Sequence, residues 1–167
     1  MHLLTIGPHA PLLLLTALLV VGCAEPPPPA GPHLPVPVPE EVATPGAPEA
    51  IGPYSQGILA GHTLYLAGQI ALDPESGEMV EGGIEAETHR VMENLQAVLH
   101  AAGMDFNDVV QSQVFLVDLE EFGAMNEIYG DYLSEPFPAR ATVQVAALPR
   151  GARVEIQMVA VGGADRD

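Results

Sequence analysis

The sequence predicts an α+β domain whose mixed sheet carries two helices on one face, in the element order β-β-α-β-α-β-β. From Ala50 onward, short apolar runs typical of strands alternate with two longer stretches of helical periodicity. Clusters of glycine, proline and aspartate separate these runs. The folded domain is therefore predicted over residues 50–162, followed by a C-terminal tail over residues 163–167.

The first half of the domain is predicted to form a hairpin and a long helix. Gly57–Ala60 and Thr63–Ile70 are apolar runs joined by a tight reversal at Gly61. Ile84–Ala102 has helical spacing and ends before Gly103, a residue type that commonly terminates helices. Its apolar stripe consists of Val91, Leu95, Val98 and Ala102.

The second half continues with a strand, a helix and two more strands. Asp108–Leu119 is rich in Val, Phe and Leu, and Glu120–Leu133 is predicted as a shorter helix. Arg140–Ala146 and Arg153–Val161 are two strands separated by a turn. The side chains available for the buried face of the second helix are Phe122, Met125, Ile128, Tyr129 and Tyr132.

The last strand indicates that both faces of the sheet are used. Successive side chains of a strand point to opposite faces. One face carries Val154, Ile156, Met158 and Ala160, which suit a core. The other face carries the mixed set Arg153, Glu155, Gln157 and Val159. A mixed face favours contact with another subunit around embedded polar sites, so we expect a homo-oligomer.

The N-terminus is typical of an exported lipoprotein. Met1–Gly22 contains no Lys, Arg, Asp or Glu, and its core Leu12–Val21 is short for a membrane-spanning helix. The sequence VVGC, ending at Cys23, resembles a bacterial lipobox. We expect a signal peptide over residues 1–22, lipid on Cys23, and anchoring at the periplasmic face of a bacterial membrane. Because the first residues lack Lys and Arg, an uncleaved anchor is the alternative.

Residues 23–49 are predicted to form a tether. Pro26–Pro29 and the alternating Leu34–Pro39 favour extended polyproline II geometry. A semi-rigid spacer is favoured over a Pro-rich ligand for a partner module. Ala24 resembles the residue that directs bacterial lipoproteins to the outer membrane.

Charge and composition exclude several function classes. The formal net charge of −17 repels phosphate backbones, so no nucleic-acid partner is expected. The single cysteine, Cys23, cannot form an internal disulfide, and the folded part contains no thiol. His62, His89 and His100 are scattered without the spacing of a metal site, and no phosphate-binding glycine loop occurs. No metal is therefore expected from these residues.

Several short motifs occur in order across the folded part. They are Ile51–Gln56 (IGPYSQ), Leu66–Ile70 (LAGQI), Asp118-Leu119 with Phe122 and Asn126, Phe137–Arg140 (FPAR), Leu148-Pro149, and Val154–Ile156 (VEI). Together they resemble the Rid/YjgF family, the reactive intermediate deaminases, from about Ala50 to Val161. Each motif is short, and their common order carries the resemblance.

The resemblance implies a chorismate-mutase-like fold assembled as a homotrimer, with active sites in the clefts between subunits. It also implies hydrolytic deamination of reactive 2-imino and enamino acids, such as 2-aminoacrylate, to 2-keto acids and ammonia, with no metal and no cofactor. The expected partner is thus a small-molecule 2-imino acid.

Three catalytic roles follow from the matching positions. Arg140 is expected to clamp the substrate carboxylate, because a planar guanidinium donates two parallel hydrogen bonds to it; a structural ion pair is the alternative. Glu155 is expected to position the attacking water as a general base, or else to be a solvated strand carboxylate. Tyr54 resembles the family's pocket tyrosine.

Four further positions are expected to contact the substrate. Gly68 would allow the backbone to approach the ligand, although a β-bulge explains it equally. Asn126 resembles the polar residue that helps hold the interface and ligand, or alternatively caps a turn. Many deaminases of the family have a hydroxyl residue at Ala67 and a cysteine at Thr142. The change at Ala67 is expected to shift substrate preference rather than abolish chemistry.

Two other functions remain open from the sequence. The imines associated with this family arise mainly in the cytoplasm, whereas this chain is predicted to be exported. The clefts could therefore bind a small carboxylate without turnover. A chaperone-like trimer is the third hypothesis.

Overall fold

The computed structural model describes residues 37–162. The predicted signal peptide, Cys23, the first part of the tether and the tail over residues 163–167 lie outside the described residues. The strands are β1 (Glu40–Val42), β2 (Gly57–Ala60), β3 (Thr63–Leu66), β4 (Val109–Leu116), β5 (Ala139–Gln144) and β6 (Val154–Val161), and the helices are α1 (Gly83–Ala101) and α2 (Phe122–Asp131).

The strands form one sheet in the order β1-β2-β3-β6-β4-β5. Strands β4 and β5 are parallel, and every other neighbouring pair is antiparallel. The parallel pair follows from the connection through α2, because parallel neighbours need a crossover of this length. The predicted mixed sheet is confirmed.

Both helices pack on the same face of the sheet, as predicted. In α1, Val91, Leu95 and Val98 are completely buried. In α2, Met125 and Tyr129 join the same core cluster. Burial of each large apolar side chain contributes roughly 1.5–3 kcal/mol, so this face holds the helices on the sheet.

Helix α2 starts at Phe122, later than predicted. Asp118 Oδ1 accepts a hydrogen bond of 2.9 Å from the backbone N–H of Glu120. This contact caps a 3-10 turn over Leu119–Glu121 that leads into the helix. The predicted helix included Glu120 and Glu121, because one tight turn does not interrupt the apolar spacing, and the predicted strand ended at Leu119.

The folded part begins before Ala50, so the prediction that the tether extends to residue 49 is wrong at its end. Residues Glu40–Val42 form β1, which pairs with β2 at one edge of the sheet. Of the three, Val42 alone is buried. A three-residue strand with two glutamates has no alternation that sequence patterns reveal, and its partner strand lies beyond a long loop.

Gln56 fastens the loop between β1 and β2. Its Nε2 donates to the carbonyl oxygens of Thr44, Ala47 and Pro48 at 3.0, 3.0 and 2.8 Å. Its Oε1 accepts from the backbone N–H of Thr44 at 2.6 Å. One buried amide thus satisfies four backbone groups and fixes the loop against the sheet.

The two faces of the sheet differ in composition. The face under the helices is apolar, and it includes the four β6 side chains predicted for the core, which are all buried. On the opposite face, which we call the open face, Phe115, Glu155 and Val159 are half-buried and Tyr65 is exposed. This mixture agrees with the pattern read from β6.

Two features that bear on membranes and metals are absent from the described residues. Between residues 37 and 162, no helix has the length and apolar character needed to cross a membrane. Within the same range, no three His, Cys, Asp or Glu side chains lie close enough to hold a metal ion.

Candidate active site

Arg140 lies on β5, at the edge of the sheet, and α2 supports its guanidinium. Its Nη2 donates a 2.7 Å hydrogen bond to Oδ1 of Asn126. The guanidinium carbon lies 4.7 Å from the ring centroid of Tyr129 and 5.6 Å from that of Phe122. Both distances suit cation–π attraction, which holds the charge in place without using its N–H donors.

These residues border a cavity of about 410 Å³, the arginine cavity. It is lined by Asn126, Tyr129, Gly130, Phe137, Pro138 and Arg140. Among the described residues, Asn126 takes one of the five N–H donors of Arg140. Enough donors therefore remain to bind both oxygens of a carboxylate.

A second cavity, of about 370 Å³, contains Glu155 and is called the glutamate cavity. Its lining includes Glu155, Tyr54, Ala67 and Gly68 together with several apolar residues. The apolar lining consists of Pro48, Ile51, Ile70, Leu72 and Pro149. Glu49 and Gln69 also line the cavity, which thus combines two carboxylates and an amide with an apolar wall.

Glu155 lies directly over Gly68. A Cβ atom at position 68 would be 2.1 Å from Glu155 Oε1, so only glycine leaves room for the carboxylate in this position. Burial raises the pKa of the Glu155 carboxyl above its usual value. A carboxylate with a raised pKa is a stronger base than a free glutamate, which suits proton transfer.

Tyr54 and Ala67 complete the rim of the glutamate cavity. The Tyr54 ring is half exposed, and its hydroxyl accepts a long hydrogen bond of 3.4 Å from the backbone N–H of Ile51. The backbone N–H of Ala67 donates to the carbonyl oxygen of Gln56 at 2.9 Å. Gln56 therefore links the rim to the loop that it fastens.

Thr142 lies on β5, two residues after Arg140 and on the same face of the sheet. Its Oγ1 is shielded from solvent and makes no hydrogen bond with any residue from 37 to 162. Thr142 is thus close in sequence to Arg140, but it does not line the arginine cavity.

The predicted site residues fall into two groups on opposite faces of the sheet. Arg140 pairs with Ser112, which pairs with Met158 on the helix-covered face. Glu155 pairs with Phe115 on the open face. Because paired residues point to the same side, Arg140 and Glu155 of one chain point away from each other. Tyr54, Ala67 and Gly68 accompany Glu155, and Asn126 accompanies Arg140.

Three residues that line or support the two cavities were not assigned to the site by sequence reasoning. Tyr129 was assigned only to the core, and Phe122 to the core and to a motif, although both rings contact the guanidinium. Gln56 appeared only as part of a motif. A buried polar residue inside an otherwise apolar motif is the signal that could have identified its structural role.

Comparison with known proteins identifies the family. The family model described as Endoribonuclease L-PSP matches residues 44–162. The chain is 52% identical over 122 residues to the 2-iminobutanoate/2-iminopropanoate deaminase of Mus musculus, covering 73% of this chain and 90% of the mouse protein.

Solved structures that are similar to this chain indicate the same family. RidA from an Antarctic Psychrobacter species is 46% identical with a TM-score of 0.72, covering 74% of this chain and 99% of that one. E. coli TdcF, solved with bound serine, is 34% identical with a TM-score of 0.71 and the same coverage. By its fold, its motifs and the match over residues 44–162, the chain belongs to the Endoribonuclease L-PSP family, which is the Rid/YjgF family.

Proposed function

We propose that this protein hydrolyses 2-imino acids to 2-keto acids and ammonia. The observation that carries the proposal is the guanidinium of Arg140, which Asn126 and two aromatic rings hold at the edge of a cavity while most of its donors remain available. Relatives of about half identity are named as deaminases of 2-iminobutanoate and 2-iminopropanoate, and both compounds carry a carboxylate beside the imine.

The reaction needs one binding group and one base. Arg140 binds the carboxylate through two parallel hydrogen bonds and so fixes the imine carbon. Glu155 accepts a proton from water as the water oxygen bonds to that carbon, which gives a carbinolamine. Glu155 then returns the proton to nitrogen, and the C–N bond breaks as Glu155 takes the hydroxyl proton and the carbonyl forms. The released ammonia takes up that proton from Glu155 and leaves as ammonium. The sum is one iminium acid plus one water to one keto acid plus one ammonium.

The two groups act together only if different subunits supply them. Arg140 and Glu155 lie on opposite faces of one sheet, so a site that uses both is completed by a second chain. A cyclic trimer meets this requirement, since each chain then offers its arginine cavity to one neighbour and its glutamate cavity to the other. The mixed open face supports such packing.

The glutamate cavity supports a preference for substrates with short apolar side chains. Its wall contains Ile51, Ile70 and Leu72, which favour apolar over charged groups. Ala67 offers no hydroxyl at the rim, where many deaminases of the family have one. A substrate with a polar side chain would therefore lose a partner, whereas an apolar one would not.

The family description also names an endoribonuclease. A formal charge of −17 opposes the approach of an RNA backbone. The arginine cavity contains one cationic side chain, which suits a single carboxylate better than a polyanion. Imine hydrolysis is therefore the proposal.

The test is a coupled assay on the purified protein. An amino-acid oxidase generates 2-imino acids in the cuvette, and release of keto acid is followed with and without the protein. We expect the protein to accelerate release, most strongly for imines with short apolar side chains. Tight binding of 2-oxobutanoate without acceleration would instead support a carboxylate-binding module.

We also propose that the protein is exported and lipid-anchored. The support is the sequence of residues 1–23, with its apolar core followed by Cys23. Expression in a bacterium with radiolabelled palmitate tests the proposal. Label is expected on the wild type and lost in Cys23→Ser, and label retained in that variant would contradict lipidation at this residue.

A further inference from the structure

We propose that Ser112 is a positioning residue that sets the affinity of Arg140 for the substrate carboxylate, acting through the ring of Tyr129. This inference rests on the proposed function and deepens it. Ser112 lines neither the arginine cavity nor the glutamate cavity. Its effect on the substrate is therefore indirect.

The first step is a buried hydrogen bond. The hydroxyl of Ser112 on β4 is 2.7 Å from the hydroxyl of Tyr129 on α2. Ser112 is 1% exposed and Tyr129 is 5% exposed. Because an unpaired buried hydroxyl is costly, each of these two groups requires the other, and the hydroxyl end of the ring is fixed to the sheet.

The second step is the contact between the ring and the charge. The guanidinium carbon of Arg140 lies 4.7 Å from the centroid of Tyr129. In the sheet, Arg140 is the neighbour of Ser112 on the adjacent strand, and both point to the same face. The tyrosine ring is thus anchored to β4 through Ser112 and supports the guanidinium of the adjoining strand β5.

The anchored ring of Tyr129 orders the Arg140 side chain before the substrate binds. Arg140 is exposed at the sheet edge, and a free arginine side chain would populate several rotamers. The ring holds the guanidinium by cation–π attraction, and Asn126 holds it by a hydrogen bond. Since the ordering cost is met before substrate arrives, affinity for the carboxylate is higher.

This role predicts a specific kinetic signature. The carboxylate is bound equally in the ground state and in the transition state, because it takes no part in bond making. Loosening Arg140 therefore raises KM and leaves kcat nearly unchanged. A variant that only damaged folding would lower the active fraction, and so the apparent kcat, with KM unchanged.

The experiment measures KM and kcat for Ser112→Ala, Ser112→Thr, Tyr129→Phe and the double variant. Ser112→Ala and Tyr129→Phe should each raise KM by about three- to tenfold, which is the effect of one lost hydrogen bond. The double variant should match the single variants, because all three lack the same bond. Ser112→Thr keeps a hydroxyl and should restore the wild-type KM.

A second readout separates this inference from the proposed function. The dissociation constant for 2-oxobutanoate, the keto-acid product, is measured for the same proteins without turnover. If the wild type shows no deaminase activity but the dissociation constants rise as predicted, the proposed function fails and the positioning role stands. If the wild type turns over imines while Ser112→Ala and Tyr129→Phe keep wild-type KM and dissociation constant, the positioning role is overturned.

Discussion

Replacement of Arg140 by alanine should remove the proposed carboxylate clamp. Two charge-assisted hydrogen bonds of about 1.5–3 kcal/mol each correspond to about 3–6 kcal/mol, or roughly 10²- to 10⁴-fold in kcat/KM. Arg140 is exposed on the single chain, where solvent weakens charge interactions, so the lower end is the smallest loss expected. We expect a loss of at least about 10²-fold, mainly in KM.

The assay is the oxidase-coupled release of keto acid, with Arg90→Ala as the matched control. Arg90 lies on α1 and pairs with the exposed carboxylates of Asp73 and Glu93. Its replacement makes the same change in charge, and it should alter kcat/KM less than about twofold, because surface ion pairs contribute little. A kcat/KM for Arg140→Ala close to the wild-type value, or an equal loss in both variants, would refute the clamp.

Three further substitutions test the glutamate cavity and the loop that borders it. Glu155→Gln should lower kcat by roughly 10²- to 10³-fold. Because the base acts when ionised and burial raises its pKa, the wild-type rate should rise with pH through a pKa above that of an ordinary glutamate, and this limb should vanish in the variant. Gly68→Ala would place a methyl group on the Glu155 carboxylate and should lower kcat, whereas Gly123→Ala, which meets no atom within 4 Å, should not. Gln56→Ala removes four hydrogen bonds and should lower the free energy of unfolding by about 3 kcal/mol in a denaturant titration. Gln96→Ala on α1, as control, should change it by less than about 0.5 kcal/mol.

The periodicity of apolar residues was sufficient to predict the helices and strands that form the core. The α1 stripe and the alternation in β6 follow directly from helical and strand spacing, because residues on one side of such an element share an environment. Strand β1 could not be found this way. Its three residues, Glu40–Val42, become a strand through pairing with β2, and this pairing depends on the loop that Gln56 holds.

The candidate site was predictable as a set of residues but not as an arrangement. The family motifs identify Arg140 and Glu155, yet a motif does not reveal which face of a sheet a residue occupies. The face to which a side chain points depends on how β5 aligns with β4 and how β4 aligns with β6. A shift of either pairing by one residue would move the side chain to the opposite face. Tyr129 illustrates the same limit, since helical spacing explains its burial but not its contact with Arg140.

In the proposed trimer, two subunits combine their cavities into one site that hydrolyses imines. Mixed trimers of Arg140→Ala and Glu155→Gln test it most directly. Each variant alone should keep about a hundredth or less of the wild-type kcat/KM, so the two are unfolded together, refolded and assayed at a substrate concentration well below KM. In an equal mixture, about a quarter of the interfaces should join an intact Arg140 to an intact Glu155, so roughly a quarter of the wild-type activity should return. A mixture that refolds into trimers and shows no more activity than the separate variants would show that Arg140 and Glu155 do not act across one interface.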